Sequence, residues 1–63
     1  MRVNAPPVAR YAVVTDPGTL FERVDSYHQV MNTAAAEAAD LKDEGREADV
    51  MRITPSGDLT TEF

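Results

Sequence analysis

The chain has no cysteine and no tryptophan, a single histidine, and no long apolar run. Without cysteine, disulfide staples and thiolate metal sites are excluded. With one histidine, a zinc site would have to be built mostly from carboxylates, against the usual preference for nitrogen and sulfur ligands. A membrane-spanning helix needs about 20 consecutive apolar residues, and no stretch of this chain approaches that. The N-terminal stretch Met1-Arg2-Val3-Asn4-Ala5-Pro6-Pro7 has no apolar signal core. These absences predict a cytoplasmic chain with no membrane contact, no metal and no cofactor. Basic residues are also scarce: six Lys and Arg stand against 11 Asp and Glu, a net charge of −5. Binding to a phosphate backbone draws its affinity from Lys and Arg, so direct contact with nucleic acid is not expected. The three glycines, at 18, 45 and 57, are isolated. Each has a turn explanation, and none builds a phosphate-cradling loop.

What is present is enough for one small domain. A chain of 63 residues buries only about 60% of its unfolded surface on folding and is marginal as a monomer. Small scaffolds compensate with disulfides, metals or a partner subunit. The first two being excluded, self-association into a homo-oligomer is expected.

Residues 1–7 read as an N-terminal arm, because Pro6 and Pro7 forbid helix and favour an extended path. Residues 8–63 read as a single ββαββ domain. Val8 to Thr15 is the first predicted strand, with Tyr11, Val13, Val14 and Thr15 as strand formers. Asp16-Pro17-Gly18-Thr19 carries Pro and Gly at the two central positions of a type II turn. Leu20 to Val24 is the second predicted strand. Ser26 and Gln29 have capping-box spacing. They predict a helix over Tyr27 to Glu44, closed by Gly45 as a left-handed stop. Its apolar stripe is Tyr27, Val30, Met31, Ala34, Ala38 and Leu41. Asp49 to Thr54 and Leu59 to Phe63 form a second hairpin around the Thr54-Pro55-Ser56-Gly57 turn, with Ile53 opposite Leu59. The economical assembly is a four-stranded antiparallel sheet of order 2-1-3-4 with the helix on one face, an α+β fold. Tyr11, Val13, Leu20, Val24, Met51, Ile53, Leu59 and Phe63 are expected to face the helix.

Two surfaces are candidates for binding. The opposite sheet face is expected to hold Ala12, Val14, Phe21 and Val50, rimmed by Arg10, Arg23, Arg52 and Glu62. An antiparallel sheet with one wet face should be polar there, whereas an apolar centre with a charged rim has the anatomy of an interface. Val14, Phe21, Arg23, Val50 and Arg52 are therefore the residues expected to bind a partner or a second copy. The second surface is the acidic helix side, Glu37, Asp40, Asp43, Glu44 and Glu47. An acidic helix side is ordinarily a solvated surface. Here the carboxylates crowd the helix C-terminus, where the dipole repels anions, and that crowding points to a protein partner with a basic surface. His28 would need a nucleophile and an orienting group within reach to act as a base. Ser26, the nearest hydroxyl, is explained as the helix cap. No catalytic residue is assigned, and the chain reads as non-enzymatic.

The stretch Val24 to Leu59 carries a resemblance, through Asp25-Ser26, Val30, Ala34, Ala38, Leu41, Gly45, Ala48 and Ser56-Gly57. The order strand, capped Ala-rich helix, Gly stop, strand and Gly turn resembles small prokaryotic and phage accessory proteins of hairpin–helix–hairpin type. Among these are host-takeover factors and anti-CRISPRs. The resemblance implies an acidic protein-binding module that inhibits a host nucleic-acid-handling or defence complex. It is similar also to antitoxin domains with a helix-covered sheet, which implies the alternative of a homodimerisation module or antitoxin-like regulator.

Overall fold

The computed structural model describes residues 9–63. The expected arm and Val8, the head of the first predicted strand, lie outside the described residues. Five elements follow in order: β1 (Tyr11–Thr15), β2 (Arg23–His28), α1 (Met31–Asp43), β3 (Ala48–Ile53) and β4 (Leu59–Thr60). The strands form one antiparallel sheet of order β2-β1-β3-β4, with α1 laid on one face. This is the expected ββαββ arrangement.

Each turn has a local cause. Asp16-Pro17-Gly18-Thr19 closes through Thr19 N–H donating to Asp16 O at 3.3 Å, with Gly18 at φ 78°, as a type II turn needs. The second hairpin closes through Gly57 N–H to Thr54 O at 2.9 Å, with Gly57 at φ 89°. Ile53 lies opposite Leu59 as expected. At the helix end, Gly45 N–H donates to Lys42 O at 2.9 Å and Arg46 N–H to Leu41 O at 3.0 Å. Those paired bonds are a Schellman cap, which requires the left-handed Gly45.

The helix start differs from expectation. Ser26 does not cap it, because Ser26 lies inside β2, opposite Val13. Central strand β1 needs a partner along its whole length. Residues 23–28 supply it, with Asp25 skipped at a bulge. Leu20 and Phe21 are thereby left in the β1–β2 loop. The helix begins at Met31 behind Val30, which makes no side-chain cap bond, and runs 13 residues, shorter than the sequence predicts. Phe63 also falls outside β4, which is only two residues long.

The faces are partly inverted from expectation. Opposed residues of an antiparallel pair share a face. Val13 pairs with Val50, Tyr11 with Arg52 and Thr15 with Ala48, so Val50 lies beneath the helix rather than away from it. The core joins Val13, Ala34, Ala38, Leu41 and Ala48, with Tyr11 and Val50 packed against it. Ala12, Val14, Val24, Tyr27, Met51, Ile53 and Leu59 take the other face by the same pairings. Met51, Ile53 and Leu59 do share one side, but it is the side without the helix. A one-residue change of phase moves every side chain of a strand across the sheet, and β3 carries apolar residues at both phases. Phe63 stays near the helix side, stacked on Tyr11 with ring centroids 6.2 Å apart.

Candidate functional site

The β1–β2 loop, residues 16–22, is held by its own hydrogen bonds. Gly18 N–H donates to Glu22 Oε1 at 2.9 Å, Thr19 Oγ1 to Asp16 O at 2.7 Å, and Phe21 N–H to Thr19 Oγ1 at 3.1 Å. Glu22 N–H closes a second turn on Thr19 O at 3.2 Å. The loop is therefore built rather than slack, yet it shows two large apolar side chains to solvent. Leu20 is fully exposed and Phe21 is 78% exposed.

The loop leaves the sheet at its acidic end. Asp16 N–H donates to Glu47 O at 3.1 Å, which ties the loop to the α1–β3 connection. The C-terminus of β1, the N-termini of β2 and β3 and the C-terminus of α1 all lie at this end. It gathers Asp16, Glu22, Asp40, Asp43, Glu44, Glu47 and Asp49, against Arg23, Lys42 and Arg46. At the opposite end Arg10 and Arg52 stand against Asp58 and Glu62. The partial negative charge of the α1 C-terminus adds to the acidic end. Clustered charge of one sign raises the local potential and steers oppositely charged partners.

At the other end of the domain, β2 and the first turn of α1 bring three polar side chains together. Ser26 Oγ lies 2.8 Å from His28 Nε2, and His28 Nδ1 lies 3.1 Å from Thr33 Oγ1. Ser26 and His28 are two residues apart on one strand, so both point to the helix side, where Thr33 stands. Thr33 Oγ1 itself donates to Val30 O at 3.1 Å. Among the described residues, no group of three or more His, Asp or Glu side chains could hold a metal ion. No helix among them is long and apolar enough to cross a membrane. A shallow cavity of about 330 Å³ is lined by Glu22, Met51, Leu59, Thr60 and Thr61. Its one charged lining residue, Glu22, already accepts the Gly18 N–H.

The chain matches no protein-family model, no curated protein and no solved structure.

The structure divides the residues predicted for the sheet face. Val14 is buried on the face without the helix, Phe21 stands on the loop, and Val50 is half-buried against the core under α1. Arg23 and Arg52 face the helix side, opposite Thr15 and Tyr11. Arg52 Nε donates to Glu62 O at 3.0 Å. These five do not form one patch, for the same reason of strand phase. The acidic set holds together better. Asp40, Asp43, Glu44 and Glu47 are exposed and adjacent, while Glu37 is half-buried beside the core stripe. Phe21 is among the residues expected to bind, but the sequence places it with Leu20 in a strand rather than at this exposed loop tip. Its signal was present: two large apolar residues straight after a Pro-Gly turn. The Ser26–His28 pair was hidden by the capping-box spacing.

Proposed function

We propose that this protein is a non-enzymatic binding module whose acidic end engages a basic surface on a larger protein. The observation that carries the reading is the convergence at one end of the domain. The exposed Leu20–Phe21 tip, on a hydrogen-bonded loop, adjoins the carboxylates of the α1 C-terminus and the α1–β3 connection. Interface hot spots are apolar anchors ringed by polar groups, and a preorganised loop loses less entropy on binding. A second copy of this chain is disfavoured at that end, because its carboxylates would repel one another. An inhibitor or adaptor of a nucleic-acid-handling complex, whose working grooves are basic, fits this chemistry.

The combined variant Asp40→Lys, Asp43→Lys, Glu44→Lys tests it. Folding should change little, since exposed charges contribute about 0–1 kcal/mol each. Association with the partner recovered by crosslinking should slow about tenfold or more and lose most of its salt dependence. Unchanged association would reject the acidic end as the site.

A second reading, a homodimerisation module, is favoured by the face without the helix. Val24, Tyr27, Met51, Ile53 and Leu59 lie there, with Asp49 and Glu22 at its margin. A self-complementary apolar face of low charge suits a second copy. In sedimentation at micromolar concentration the chain should then exceed its monomer mass of 6.9 kDa, and Ile53→Asp should return it to monomer. A clean monomer across a wide concentration range rejects this reading and leaves the first intact.

A further inference from the structure

We infer that Ser26 is a self-acylating residue, which accepts an acyl group from an activated ester or thioester with His28 as its general base. This goes beyond the binding function and does not rest on it. A serine hydroxyl is a weak nucleophile until an adjacent base takes its proton, and the base must itself be oriented by a third group. All three parts are in place. Ser26 Oγ and His28 Nε2 are 2.8 Å apart, and His28 Nδ1 is 3.1 Å from Thr33 Oγ1.

The tautomer follows from the third bond. The hydroxyl proton of Thr33 is committed to Val30 O at 3.1 Å. Thr33 Oγ1 therefore accepts from the ring, which places a proton on Nδ1. In the neutral ring the lone pair is then on Nε2, where it faces the Ser26 hydroxyl. The pair is reachable, because β2 is an edge strand among the described residues and both side chains are only half-buried.

The step balances without a further reagent. Ser26 Oγ attacks the donor carbonyl carbon as its proton passes to His28 Nε2. The carbon–oxygen or carbon–sulfur bond to the leaving group then breaks. The leaving group departs as its anion or takes the proton back from Nε2. The product is an ester at Ser26. Thr33 is a positioning residue, since it touches only the base.

The probe is p-nitrophenyl acetate, followed by peptide mapping in a mass spectrometer. Acetylation at Ser26 should run about 100-fold faster than in His28→Gln, the lower end of the range for general-base assistance. It should also outrun acetylation of N-acetylserinamide in the same solution, a comparison that needs no variant to fold. Ser26→Ala should lose that adduct. Thr33→Val should slow the reaction, and Thr33→Ser should restore it, which a purely structural threonine would not require. The inference is overturned if Ser26 is acetylated no faster than the free serine derivative. It is overturned equally if a folded His28→Gln chain reacts at the wild-type rate.

Discussion

Leu41→Ala is expected to lower the unfolding free energy by about 2–5 kcal/mol, the range for truncating a buried leucine. Leu41 is only 4% exposed, and it is the one bulky side chain that α1 places in the core. The other helical contributions are Ala34 and Ala38, which bring the helix close to the sheet but fill little volume. Nothing nearby on the helix can collapse into the space left by Leu41. Stabilities of about 0.05–0.15 kcal/mol per residue put a chain of 63 residues near 3–9 kcal/mol. The loss is therefore a large share of the total stability, read as a fall in urea midpoint at constant slope. A loss below about 1 kcal/mol would mean that the helix does not seat Leu41 on the sheet.

Phe21→Asp is expected to weaken partner binding about 30-fold or more while leaving the fold intact. Central aromatic anchors cost at least about 2 kcal/mol when removed, and 1.4 kcal/mol is a factor of ten. Phe21 lies outside the core and mostly in solvent, so the unfolding free energy should move by no more than about 0.5 kcal/mol, as for ordinary surface changes. The loss should fall on the dissociation rate, with the salt dependence of association retained. That pattern is the opposite of the one expected for the acidic charge reversals. Stopped-flow traces at two ionic strengths separate the two. Wild-type affinity in Phe21→Asp, alongside loss in the charge-reversed chain, would remove the loop tip from the site and keep the acidic end.

The elements that could be read from the residues are those set by local chemistry. Pro17-Gly18 and Pro55-Ser56-Gly57 specify turns because backbone sterics admit few residues at those angles. Gly45 stops the helix because the cap needs a left-handed residue. Ala34, Ala38 and Leu41 repeat with helical spacing, and all three are buried. With one helix between two hairpins, the sheet order 2-1-3-4 follows from keeping connections short.

What the tertiary structure decided is everything that depends on phase or on distant neighbours. Ser26 and Gln29 have the spacing of a cap, but β1 needs pairing over its full length, and that long-range demand drew residues 25–28 into β2. The longer strand pushed Leu20 and Phe21 onto the loop and freed Ser26 to meet His28 and Thr33. In β3, Val50, Met51 and Ile53 are apolar at both alternations, so residue type alone cannot say which side faces the helix. The pairing of Val13 with Val50 chose. The acidic end is likewise a product of folding: Asp16, Glu22, Asp43 and Glu47 are scattered along the chain, and antiparallel pairing returns them to one end of the sheet.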